Sequence, residues 1–179
     1  MVWSCLVSIL PGMAQTEKLT DYVNPFVGTD GYGNVYPGAQ IPFGGIQISP
    51  DTDSRFYDAA SGYKYNHLTL MGFSLTHLSG TGIPDLGDFL FIPGTGEMKL
   101  EPGTHEDPDQ GYRSRYSHDK EWASPNYYAV ELADYGVKAE MTSGVRSGMF
   151  RFTYPESDNA FIMIDMNHTL WQSCEWSNL

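Results

Sequence analysis

The sequence predicts an all-β chain folded as an antiparallel β-sandwich, and three observations carry that expectation. Apolar and polar residues alternate at period two between 128 and 154, as half-buried strands require. Glycine (19) and proline (11) are frequent, and no long Ala/Leu/Glu/Lys stretch offers a helix. The 179 residues, 41% hydrophobic and 14% aromatic, suffice for one domain with a packed core.

The chain opens on an apolar run, Val2 to Leu10, followed by Pro11-Gly12-Met13-Ala14. Gly12 and Ala14 fit the small-residue positions of a cleavage site, so residues 1–14 read as a signal peptide and the protein is expected to be exported (periplasmic, outer surface or secreted), although no Lys or Arg precedes Lys18. The run falls short of the roughly 20 residues that cross a membrane, so no transmembrane segment is expected. Residues 15–179 then form the sandwich domain. Cys5 falls in the leader, which leaves Cys174 alone and predicts no internal disulfide; zinc-ligand spacings are also missing.

Residues 17–62 read as turns with brief extended pieces, among them Gly28-Thr29-Asp30-Gly31-Tyr32-Gly33 and Pro37-Gly38. Gly44 to Ile48 and Leu70 to Phe73 are expected strands, and Phe89 to Ile92 a buried one. Residues 97–126 are polar and read as a long connection. Beyond it, Tyr128 to Leu132, Val137 to Met141, Phe150 to Tyr154 and Phe161 to Met166 predict a meander of antiparallel strands, with turns at Asp134-Tyr135-Gly136 and Pro155 to Asn159. The chain stops at Trp176-Ser177-Asn178-Leu179 directly after a strand-like run, so the sandwich is expected to be truncated and incomplete at its C-terminal end.

The formal net charge of −12 repels phosphate backbones, which excludes nucleic acid as an expected partner. Gly28-x-x-Gly31-x-Gly33 has the wrong glycine order for a dinucleotide loop. Ser79, two residues after His77, is not in a nucleophile elbow. Asp51-Thr52-Asp53 opens like a calcium loop but continues with Arg55, Phe56 and Gly62 where ligands and the turn glycine are needed, so both acids read as turn formers, with Arg55 a partner for one of them. Asp85 and Asp88, in a Gly/Pro-rich loop, could face a sugar or metal, or could cap local N–H groups. Asn167-His168-Thr169 matches a glycosylation sequon.

Specific strings go further. Val23-Asn24-Pro25-Phe26-Val27-Gly28-Thr29 resembles the opening motif of family 92 glycoside hydrolases. Tyr36-Pro37-Gly38-Ala39, Pro42-Phe43-Gly44, Ser49-Pro50-Asp51-Thr52 and Gly62-Tyr63 with Tyr65 follow in that family's order. Gly72-Phe73-Ser74 and Thr76-His77-Leu78-Ser79-Gly80-Thr81-Gly82 resemble its most recognisable loop, continued by Gly87-Asp88. Ala123-Ser124-Pro125, Tyr127-Tyr128, Ala139-Glu140-Met141-Thr142 and Arg146-Ser147-Gly148 complete the series. Gly82-Ile83-Pro84 departs from a more polar stretch common in the family.

The resemblance implies an N-terminal β-sandwich, normally followed by an (α/α)6 barrel that no part of this chain matches. It implies a parent enzyme that is an inverting, calcium-dependent α-mannosidase acting on N-glycans. The general acid, the general base and most calcium ligands would belong to the barrel, so no catalytic and no metal residue is assigned here and the chain alone is expected to be inactive. The implied partners are a mannose-containing glycan and the C-terminal catalytic barrel of the same polypeptide. The implied substrate-binding edge is Gly28, Thr29 and Asp30 in one loop, and Thr76, His77, Ser79, Gly80, Asp85 and Asp88 in another. His77 either donates to a sugar hydroxyl or is fixed inside the loop by a neighbouring acid. With 12 Tyr, 9 Phe and 4 Trp, a free-standing carbohydrate-binding module is the alternative expectation.

Overall fold

A computed structural model describes residues 17–54 and 57–170. The expected leader, Arg55 and Cys174 lie outside the described residues.

Among the described residues ten strands follow in order: β1 (Ser49–Asp51), β2 (Thr69–Leu70), β3 (Gly72–Ser74), β4 (Leu90–Thr95), β5 (Ser114–Arg115), β6 (Glu121–Ser124), β7 (Tyr127–Leu132), β8 (Val137–Ser143), β9 (Gly148–Thr153) and β10 (Ala160–Asp165). The helical pieces among the described residues are short 3-10 turns, such as His118–Lys120, where the Ser117 hydroxyl accepts from the Asp119 amide. One antiparallel sheet has the order β1-β3-β4-β10 and the other β6-β7-β8-β9, with β2 and β5 as a small separate ladder.

The alternating sequence forms the strands it predicts, because each apolar row has a face to bury. Tyr128, Val130 and Leu132 on β7 and Val137, Ala139 and Met141 on β8 all point inward and are buried. Phe150 and Phe152 on β9 continue that face and reach Phe73 of β3, with ring centroids 6.5 and 6.2 Å apart, while Phe150 lies 4.9 Å from Phe91 of β4. The two sheets therefore stack face to face, as in a sandwich. Asn126, with φ 60°, turns the short link between β6 and β7, and its side chain is bonded to the backbone of Ser143 at 2.9 and 3.1 Å.

Three expectations need correction. The strand expected at Gly44 to Ile48 lies later: Ile48 makes a single bridge to Ala39, and pairing begins at Ser49. The expected four-stranded meander holds only for β7 to β9 and gains β6 at its other edge; β10 leaves to pair with β4 across the sandwich. Asp51 and Asp53 are not exposed turn formers. Asp51 sits in β1 opposite Gly72, and both acids are fully buried.

Several tyrosine hydroxyls of the core are hydrogen-bonded internally. The carboxylate of Glu121 points inward from β6 and accepts from Tyr63 (2.9 Å), Tyr128 (2.5 Å) and His118 Nδ1 (2.6 Å). Burial pushes the Tyr63, Tyr116 and Tyr128 phenols far above their ordinary range, so they serve as permanent donors. On the other face of the first sheet Met71, Leu90, Ile92 and Tyr112 form a second apolar cluster.

Candidate functional site

The first loop, Gly28 to Gly33, closes on itself by local chemistry. The Thr29 hydroxyl and amide both donate to the Phe26 carbonyl, at 2.8 and 3.1 Å. Gly28 has φ 85°, and a Cβ on Gly33 would stand 2.2 Å from the Gly28 carbonyl oxygen, so both glycines are required by the backbone path. The loop is tied to the body by Tyr65, whose amide donates to the Thr29 carbonyl at 2.9 Å, and by Lys64, whose ammonium donates to the Gly31 carbonyl at 2.6 Å. Thr29 is buried, Gly28 half-buried and Asp30 exposed.

The second loop runs from Thr76 to Asp88. Its two ends are locked together: the Thr76 hydroxyl donates to the Asp88 carboxylate at 2.8 Å and accepts from the Asp88 amide at 3.3 Å, and the Gly87 amide donates to the Thr76 carbonyl at 2.9 Å. His77 bridges to Leu86 inside this closure. Asp85 accepts from the neighbouring Leu86 amide at 2.8 Å, a local cap. Leu86 (φ 70°) and Phe89 (φ 56°) adopt the left-handed region, so the backbone around Gly87 and Asp88 is strained. Ser79, Gly80, Asp85 and Asp88 are exposed, Thr76 is half-buried, and His77 is buried.

The two loops are adjacent. The Gly80 amide donates to the Asn34 carbonyl at 2.6 Å, just past the first loop. This bond joins the second loop at Gly80 to the residue that follows the first, across 46 positions of sequence. Asn34 itself has φ 49° and was not singled out by its sequence context.

His77 points inward. Its Nδ1 donates to the Gln47 carbonyl at 2.7 Å, and its Nε2 lies 2.7 Å from Asp51 Oδ1 and 3.0 Å from the Ser74 hydroxyl. The Tyr36 ring covers it, with centroids 5.1 Å apart, and burial pushes the Tyr36 phenol up to about 12. The other oxygen of Asp51 is held by His168 Nε2 at 2.8 Å. Burial pushes the Asp51 carboxyl up, but the charge and hydrogen bonds of His77 and His168 outweigh it and hold it well below the usual carboxylate range. Both nitrogens of His77 are thus engaged with the protein, and the ring anchors the loop to the core.

His168 is the residue that sequence reasoning passed over. It sits in the sequon-like Asn167-His168-Thr169, where its only mark is a lone histidine after an apolar strand. A second histidine works the same way near the first loop: His118 joins Glu121 through Nδ1 and the Tyr65 carbonyl through Nε2 at 2.8 Å, and stacks on the Tyr65 ring with centroids 3.9 Å apart. Each loop is therefore fixed, directly or through Tyr65, to a buried carboxylate.

Chemically, the surface offers a hydroxyl at Ser79 and carboxylates at Asp30, Asp85 and Asp88. That is hydrogen-bonding capacity for a polyol. Among the described residues, no group of three or more His, Cys, Asp or Glu side chains is arranged to hold a metal ion. No helix among them is long and apolar enough to cross a membrane.

Comparison with known proteins agrees with this architecture. Residues 22–179 match the model of the glycosyl hydrolase family 92 N-terminal domain. The chain is 30% identical over 139 residues to a protein of Arthroderma benhamiae described as an uncharacterized secreted glycosidase, covering 76% of this chain and 17% of that protein. Among solved structures, it is similar to the family 92 glycosyl hydrolase ccman5, with a TM-score of 0.70 and 32% identity, over 84% of this chain and 20% of that one. It is also similar to the family 92 inverting mannosidase of Bacteroides thetaiotaomicron, with a TM-score of 0.67 and 29% identity, again over 84% and 20%. The chain thus spans about a fifth of the length of these relatives.

Proposed function

The chain belongs to glycosyl hydrolase family 92, as its N-terminal domain, and from that we propose that its paired loops form one wall of an α-mannoside pocket in a longer, exported enzyme. The observation that carries the reading is the Gly80–Asn34 bond, which assembles two loops from distant sequence into one exposed, hydroxyl- and carboxylate-rich edge. Ser79, Asp30, Asp85 and Asp88 would hydrogen-bond sugar hydroxyls, and Gly28 and Gly80 would let backbone approach the ring. His77 acts as a positioning residue, since both of its ring nitrogens are already engaged. The inverting mannosidase among the similar structures supports a mannoside substrate, and the relative described as secreted supports export.

The acid and base of an inverting glycosidase are two carboxyl groups about 6.5–9.5 Å apart that flank the scissile bond. In this reading they belong to the barrel domain of the full-length polypeptide, as do most of the calcium ligands, and the glycans trimmed are N-glycans. Saturation-transfer NMR tests the reading: the purified chain should transfer magnetisation to methyl α-mannoside in preference to methyl β-glucoside, and should not hydrolyse an aryl α-mannoside. Equal transfer to both sugars, or turnover, would contradict it. Tight binding of whole glycans by the chain alone would favour a free-standing carbohydrate-binding module instead.

A further inference from the structure

Two large side chains stand exposed at the junction of the two loops. Tyr32 is 92% exposed and Ile83 66%. Among the described residues no ring stacks on Tyr32 and no group bonds its phenol. Tyr65, which holds the first loop through Thr29, is engaged instead: it stacks on His118 and packs edge-on against Phe26, with centroids 5.8 Å apart.

Each exposed side chain is presented by a turn of its own. The Gly33 amide donates to the Asp30 carbonyl at 3.3 Å, which puts Tyr32 at a corner of a four-residue turn, directly after Gly31 at φ 60°. Gly33 lies hard against the Gly28 carbonyl oxygen and Lys64 holds the Gly31 carbonyl, so the corner is fixed from both sides. Ile83 also follows a left-handed glycine, Gly82 at φ 55°, and the Thr81 hydroxyl donates to its carbonyl at 3.0 Å. Asn34 joins the two turns. Its side-chain amide donates to the Tyr32 carbonyl at 3.3 Å, and a Cβ on Gly82 would stand 3.3 Å from that same nitrogen.

A pyranose is two-sided: hydroxyls project around its rim, while C–H bonds form apolar patches on its ring faces. A wholly polar edge leaves those patches in water, and a wholly apolar one leaves the hydroxyls without partners. An aromatic face meets a C–H patch through dispersion and through the attraction of its negative π cloud for hydrogens. We propose that Tyr32 and Ile83 form the apolar lip of the edge, Tyr32 stacking on a C–H face of the bound mannoside ring and Ile83 bounding it, while Asp30 and Ser79 bond its hydroxyls. The assignment rests on the mannoside reading and deepens it, since it names the residues that take the sugar's apolar side. The ring face of Tyr32 makes the contact and the phenol does not.

The test is proton NMR on the full chain titrated with methyl α-mannoside, with the variants Tyr32→Ala, Tyr32→Phe and Ile83→Ser. In the parent chain, C–H signals of the sugar ring should move upfield, as protons over an aromatic face do, and the Tyr32 ring signals should move along the same binding curve. Tyr32→Ala should abolish the upfield movement and weaken binding roughly tenfold, the equivalent of returning about 60 Å² of apolar contact to water. Tyr32→Phe should bind within about twofold of the parent, and Ile83→Ser should weaken binding about threefold while keeping the upfield movement. Both side chains are exposed, so all three variants should keep the parent's amide dispersion. A Tyr32→Ala chain that binds as the parent does, with the loop amide shifts intact, would overturn the lip and leave the mannoside edge standing. A phenylalanine variant as weak as the alanine one would overturn it in favour of a hydrogen bond from the phenol. A parent chain that moves no sugar signal would remove the lip together with the edge that carries it.

Discussion

His168 and Asp51, 117 residues apart in sequence, share a 2.8 Å hydrogen bond in a place where both are buried. The other oxygen of Asp51 holds His77 at 2.7 Å, so one carboxylate ties the start of the first sheet, the Thr76 loop and the segment after β10 together. Removing it leaves two buried imidazoles without their acceptor. Asp51→Ala should therefore cost about 3–5 kcal/mol, the range for breaking a buried pair on one side. Urea denaturation at neutral pH measures this; a loss near zero would mean the cluster is replaceable.

Acid should weaken the fold through named groups. Both Asp51 and Glu140 have carboxyls held below their unfolded values. For Asp51, the charge and hydrogen bonds of two histidines outweigh the opposing effect of burial; for Glu140, hydrogen bonds from Arg151 and Tyr127 lower it to about 2. A depressed carboxyl stabilises the fold above its unfolded value and loses that contribution as the pH falls through its folded value. For Glu140 the loss runs from pH 4.5 down to about 2. Glu140→Gln should therefore flatten the acid limb of a stability–pH curve in that window and leave the Asp51 share, which extends lower. Because Arg151 is well exposed, the change at neutral pH should stay within about 1 kcal/mol.

Gly62 tests the same cluster from the backbone side. It has φ 82°, and a Cβ there would stand 2.1 Å from Asp51 Oδ1. Gly62→Ala combines left-handed strain with displacement of the carboxylate, and should destabilise by about 2 kcal/mol or more. Thermal denaturation reads this directly. Gly80→Ala, at φ 73° but with nothing within 4 Å of the added carbon, should show the strain alone and cost less.

The Thr76–Asp88 pair closes the second loop. Thr76→Val keeps the shape and removes the hydroxyl that both donates to and accepts from Asp88. The global fold should lose only about 1 kcal/mol. Hydrogen exchange at the Gly87 and Asp88 amides should speed up while the β7 and β8 amides stay protected. Uniform acceleration would show instead that the loop does not open on its own.

Much of the fold was legible because period two survives wherever a sheet has one wet face, as in β7 to β9. The short strand β1 escaped because its burial pattern does not alternate: Ser49, Pro50 and Asp51 are all buried. Asp51 read as a turn residue since nothing local shows that His77 and His168 will meet it. The loop residues were legible as strings, and their exposure divides them: Ser79, Gly80, Asp85 and Asp88 face out, whereas Thr29 and His77 serve the loops from within. Asn34 and His168 matter through contacts made only in three dimensions.

The central claim is that Gly28 to Asp30 and Thr76 to Asp88 form one mannoside-facing edge. Residue-resolved amide NMR on the chain, titrated with methyl α-mannoside, tests it most directly. The account predicts shifts confined to Gly28, Thr29, Asp30, Asn34, Ser79, Gly80, Asp85 and Asp88, weakened by Ser79→Ala and absent with methyl β-glucoside. Shifts that fall instead on the outer face of β7 to β9, or on no residue at all, would contradict it.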